Sequence, residues 1–107
     1  MRLSVRGNKL FADNLMFSHA EVNDARCDQY GSFPVEVRYS HAHERDLPMA
    51  TGLGWLGADA SCAVIVGRVV PRDGKVLPCI VTESRLIGML NRAEEQGGRC
   101  ILEIEHG

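Results

Sequence analysis

The last third of the chain, residues 61–106, constrains the fold most. It reads as strand, tight turn, strand, capped helix, Gly-Gly stop and strand. Cys62-Ala63-Val64-Ile65-Val66 is apolar without alternation, the pattern of a strand covered on both faces. In Pro71-Arg72-Asp73-Gly74 the proline presets φ at the turn's second position and the glycine takes the positive φ at its end. Pairing Val70 with Lys75 across this turn sets Val66 opposite Cys79. Pro78 has no amide to donate to a ladder, so residues 75–81 are expected to form an edge strand or to carry a bulge.

The next segment is helical in pattern. Thr82 offers a hydroxyl to the orphan amides of a first turn, and Glu83 lies at the positive end of the helix dipole. Leu86, Ile87, Leu90 and Ala93 share one face, while Arg85, Arg92, Glu94 and Glu95 lie mostly on the other. The spacing predicts a helix over 83–96, closed by Gly97. Cys100, Leu102 and Ile104 then alternate with Arg99, Glu103 and Glu105 in a closing strand. A helix between strands 75–81 and 99–105 allows those two to pair in parallel through a right-handed crossover.

The first two-thirds of the chain are less regular. Met1, Leu3 and Val5 alternate with Arg2, Ser4 and Arg6; Gly7-Asn8 offers a two-residue turn, and 9–12 returns as a second strand. Over residues 13–27, Leu15, His19 and Val22 fit a helical stripe, and Leu15, Phe17 and His19 fit a strand equally well. Val35, Val37 and Tyr39 alternate with Glu36, Arg38 and Ser40, and a continuation of that strand keeps His41 and His43 in phase with its apolar side. No periodicity survives from Glu44 to Ala60, where Pro48, Gly52, Gly54 and Gly57 punctuate an expected long loop. The combined expectation is one α+β domain over 1–107. It is a mainly antiparallel sheet of about five strands with the 83–96 helix packed on one face.

Size and charge bound the function. The chain has 107 residues, room for one domain. Twelve basic against 14 acidic residues, a net charge of -2 and the absence of any Lys or Arg run argue against nucleic acid as the main partner. No stretch approaches the ~18 apolar residues of a membrane span. Residues 1–6 lack the continuous apolar core of a leader, so a cytoplasmic protein is expected, with Cys27, Cys62, Cys79 and Cys100 as free thiols. No two cysteines have the Cys-x-x-Cys spacing of a zinc knuckle or a redox pair.

Several motifs suggest chemistry. Gly52-Leu53-Gly54-Trp55-Leu56-Gly57 matches the dinucleotide fingerprint letter for letter. That motif works only between a strand and a helix N-terminus, and here a loop precedes it and an apolar strand follows. His41 and His43, two apart on a strand, have Cα atoms roughly 6.6 Å apart on one face and can converge on a metal ion if another side chain completes the set. Ser61-Cys62 lacks the Gly-x-Ser-x-Gly elbow. Cys79 and Cys100 fall in apparent core strands, where a thiol behaves as a small hydrophobe. Glu103 and Glu105 read as a solvated face able to pair with Arg2 or Arg6.

Trp55, flanked by Leu53 and Leu56 in a glycine-rich stretch, is the strongest candidate for a binding contact, because tryptophan gives large contact area at small entropic cost. The leading expectation is a non-enzymatic interaction protein of the inhibitor, immunity or adaptor type, of the kind found in mobile genetic elements. It would need no cofactor and would dock another protein, or a second copy in a homodimer, through the 41–60 loop and a sheet edge. Trp55, Leu53, Leu56, His41 and His43 are its expected contacts. One alternative is a small metal-binding protein or enzyme centred on His41 and His43, with Glu44 or Asp46 assisting. Another is a small-ligand-binding domain with its pocket between the sheet and the 44–60 loop.

Overall fold

The computed structural model describes residues 1–23, 31–51 and 61–105. Their elements are β1 (Arg2–Arg6), β2 (Lys9–Ala12), β3 (Leu15–Asn23), β4 (Gly31–Ser40), β5 (Arg45–Thr51), β6 (Ser61–Val69), β7 (Val76–Pro78), α1 (Ile80–Glu95) and β8 (Ile101–Glu105). The strands run in the order β3-β2-β1-β8-β4-β5-β6, and β3 pairs back onto β6 to close a seven-strand barrel. β7 pairs with residues 67–69 of β6, on the edge that β5 pairs with at 61–63, and is the terminal strand of the sheet.

This corrects the expectation of a five-strand α+β sheet with a helix across one face. Three segments account for the difference. Residues 15–23, undecided between helix and strand, form β3. Asp13 and Asn14 take φ of 49° and 71°, the two positive values of a tight hairpin turn, and short polar side chains tolerate them. Residues 45–51, expected as loop, form β5. Pro48 sits within β5, and its missing amide costs no bond to β6, whose pairing with β5 begins at Met49. β3 then spans two partners: its first half pairs β2, and its second half pairs β6 with Ala20 opposite Val66 and Val22 opposite Val64. A nine-residue strand shared in this way is what closes the sheet.

Alternation fills the interior. Leu3 and Val5, Leu10 and Ala12, Ala20, Val35, Ala50, Cys62, Val64 and Val66, Cys100 and Leu102 form one buried cluster. Leu86 and Leu90 of α1 belong to this cluster, so the helix packs into the barrel core and does not lie across an open sheet. Each such leucine contributes about 2 kcal/mol of apolar burial. The expected double coverage of 62–66 is present. The other face of β6, Ala63 and Ile65, forms a second cluster with Leu47 and Val76.

The β6–β7 hairpin follows the sequence closely. Val70 donates to the Lys75 carbonyl at 2.8 Å, Cys79 donates to the Val66 carbonyl at 3.0 Å, and Gly74 takes φ +65°. β7 is the expected edge strand. The one parallel pair among the described residues, however, joins β8 to β1, and the other side of β8 lies antiparallel against β4, so strands 75–81 and 99–105 do not pair. On the outer face Arg2 pairs with Glu103, and Arg6 pairs with Glu105 at 3.1 Å.

The helix starts earlier than its sequence pattern. Cys79 is the N-cap, with extended φ and ψ of -119° and 112°, and Thr82 lies inside the first turn. Cys79 is still bonded to β6 through its amide, and its carbonyl accepts the first helical bond from Glu83 at 2.9 Å. Strand therefore passes to helix at a single residue. Gly97 takes φ +79°, and the amides of Gly97 and Gly98 return to the Glu94 and Ala93 carbonyls, the left-handed stop expected there. Among the described residues no helix is long and apolar enough to cross a membrane.

Candidate docking surface

The expected contacts Leu53, Trp55 and Leu56 lie outside the described residues. His41 and His43 are described, and their setting differs from the expectation. β4 ends at Ser40, and residues 41–44 form the turn into β5, with Glu44 at φ 56°. The strand phase that would have aimed both imidazoles at one ion is therefore lost. His41 stacks edge-on against Tyr39 with ring centroids 5.1 Å apart. His43 Nδ1 lies 2.9 Å from the Ser40 hydroxyl, a bond that closes the turn. Among the described residues no three His, Cys, Asp or Glu side chains are grouped to hold a metal ion.

The turn is tied to the helix. Arg45, at the start of β5, donates from Nε and Nη2 to the two carboxylate oxygens of Glu83 at 2.9 and 3.1 Å. Glu83 is 4% exposed. A bidentate fork of this kind fixes direction as well as distance. The hydrogen bond to Glu83 raises the Arg45 pKa above its ordinary value, against the opposing effect of burial. Glu83, read from the sequence only as a partner of the helix dipole, is thus a buried anchor for the 41–45 turn.

The cysteines divide into three environments. Cys62 is disulfide-bonded, which corrects the expectation of four free thiols. Cys100 is free and buried, and burial pushes its thiol pKa up. Cys79 is free and only partly covered, which corrects its reading as a core thiol. Hydrogen bonding to the Thr82 side chain and amide lowers its pKa, with a smaller contribution from the charge on Arg68. Cys27 lies outside the described residues.

Among the described residues, three of the exposed large apolar side chains lie close to Cys79 in sequence. Leu77 is 47% exposed, Ile80 72% and Val81 70%, three large apolar side chains within five residues. Beside them a depression of about 460 Å³ is lined by Gly67, Arg68, Leu77, Pro78, Cys79 and Thr82. The sequence reading made 75–81 an edge or bulged strand through Pro78 but singled out none of Leu77, Ile80 and Val81. The available signal was Pro78: an edge strand has one unpaired side, so its apolar residues need not all be covered. Leu15 and Met16 at the β2–β3 hairpin, Tyr39 at the end of β4 and Ile101 at the start of β8 are also exposed.

The chain matches no family model, no curated protein and no solved structure.

Proposed function

We propose that this protein is a small, non-enzymatic docking module that acts by binding another protein with the outside of its barrel. The observation that carries this reading is where the apolar side chains lie. The interior is filled by its own leucines and valines, with Leu3, Leu10, Leu86, Leu90, Leu102, Val64 and Val66 all fully buried. Barrels that carry a small ligand keep a lumen for it, whereas small barrels packed with side chains leave binding to their surfaces. Outside, Leu77, Ile80 and Val81, within five residues of one another, are exposed, and grouped exposed apolar side chains mark interaction surfaces. The sequence grounds for Leu53, Trp55 and Leu56 as further contacts belong to the same reading.

His41 and His43 take part through the geometry of the turn, as ring contact and hydrogen-bond partner, and no observation favours them as metal ligands. The disulfide at Cys62 bears on location: such bonds persist in oxidising surroundings, so the thiols give no support to cytoplasmic residence.

Native mass measurement of the chain purified from its host under mild cross-linking tests the proposal. The wild type is expected to carry a partner, or a second copy, in fixed stoichiometry. Trp55→Ala is expected to lose it at an unchanged melting temperature. A wild type that stays alone and monomeric at every concentration would overturn the reading, as would a folded Trp55→Ala variant that associates as well as the wild type.

A further inference from the structure

We infer that the corner between β7 and α1 is a docking site for a segment of another protein that carries both apolar and carboxylate side chains. The inference rests on the docking reading and names the chemistry of the partner. Leu77, Ile80 and Val81 supply the apolar part, with exposures of 47%, 72% and 70%. The charge on β6 and the hairpin is mainly basic, with Glu21 of β3 as the carboxylate that shares a depression with Gly74 and Val76. Arg68 lies directly across the ladder from Leu77 and lines the same depression as Leu77, Pro78 and Thr82. Arg72 and Lys75 are exposed on the hairpin that carries β7, and Asp73 is its single acid.

These cations are available to a partner. None of Arg68, Arg72 and Lys75 takes part in the ion pairs among the described residues, which join Arg2 to Glu103, Arg6 to Glu105, Arg38 to Glu36 and Arg45 to Glu83. The nearest carboxylate on the helix, Glu83, is buried and held by Arg45, so it does not neutralise the corner. Exposed apolar side chains on β7 and the start of α1, with unpaired cations on the adjoining hairpin, are complementary to apolar side chains interleaved with Asp or Glu. A basic partner, or nucleic acid with its phosphates and few apolar groups, matches only half of this surface.

The backbone restricts how the segment can lie. Val70 and Cys79 bond to Lys75 and Val66 across the hairpin, so Leu77 is directed at Arg68, while Val76 and Pro78 turn their backbone groups outward. Pro78 has no amide, so the outer edge cannot extend the sheet by a regular ladder. Side chains in the depression therefore carry the recognition.

Heteronuclear NMR titration of the full chain tests this, with a short synthetic peptide of alternating glutamate and leucine as the probe. Matched lysine–leucine and glutamate–serine peptides are the controls. The glutamate–leucine peptide is expected to shift residues 67–69 and 75–82 saturably, and Arg68→Glu or the double variant Ile80→Ser, Val81→Ser is expected to weaken it about tenfold. Equal binding of the lysine–leucine peptide, shifts confined to other parts of the barrel, or concentration-dependent shifts of these residues without peptide (a second copy as occupant) would each overturn the assignment. The host-complex measurement separates the two levels. If Trp55→Ala removes a bound partner but the Ile80→Ser, Val81→Ser variant retains it, the docking reading stands and this corner is not its site.

Discussion

A single missing β-carbon sets the position of the proposed surface. Gly67 lies where β6 meets both β3 and β7, opposite His19 on one side and Pro78 on the other. A Cβ added there would stand 1.8 Å from the Leu77 carbonyl oxygen and 2.9 Å from its carbonyl carbon. Those are backbone atoms of a paired strand, so no rotamer change relieves the contact and the strand itself must move. Gly67→Ala is therefore expected to destabilise the fold by about 2–3 kcal/mol in urea denaturation, and to displace the amide resonances of 76–79 more than those of β1 or β8. A loss within about 0.5 kcal/mol would mean that β7 is held less closely than described. Nothing in the sequence singled out this glycine, because close approach of a neighbouring strand leaves no local pattern. Gly74 and Gly97 were legible, since each follows a segment whose turn or helix end requires a positive φ.

Among the elements, the helix shows how far periodicity can be trusted. Its buried stripe, Leu86 and Leu90, and its glycine stop were readable from 3.6-residue spacing. Its start was not, because the pattern pointed to the Thr82 hydroxyl while tertiary structure used the backbone of Cys79, still fixed in the β6–β7 ladder. The anchor between Arg45 and Glu83 was equally invisible, since it joins residues 38 apart in sequence. It makes an unequal prediction. Glu83 keeps 5% of its side-chain surface and Arg45 keeps 34%. Removing the arginine leaves a buried carboxylate without its cation, whereas removing the glutamate leaves a guanidinium that can turn to water. Arg45→Ala is expected to cost about 3 kcal/mol and Glu83→Ala distinctly less. Chemical denaturation of both variants decides it, and the reverse order would place the buried charge on the wrong partner. The strands divide in the same way. β1, β2, β4, β6 and β8 alternate or run apolar as their burial demands, so they were legible. β3 fits two periods, and β5 contains a proline and lacks clean alternation, so neither was resolved.

Across the whole molecule, those two strands changed the architecture. With them unresolved, the remaining segments compose an open sheet of about five strands that needs a helix to cover one face. With both present, β3 reaches β6, the sheet covers itself, and α1 contributes to the enclosed core. Closure also shapes the functional proposal. Among the described residues the interior is packed with leucine and valine, which is why the proposal looks to the outer surface, where the β7–α1 corner has exposed apolar side chains and unpaired cations. The Trp55 cluster enters on sequence grounds alone. The claim beneath all of this is the seam between β3 and β6. Amide hydrogen exchange under native conditions at residues 19–23 and 63–67 tests it most directly. The closed barrel predicts that the ladder amides along this seam exchange only through global unfolding, as slowly as those of the β1–β8 pair. Exchange of the β3 half of the seam at rates near those of an unprotected chain, with β1 and β8 protected, would show an open sheet and contradict the account.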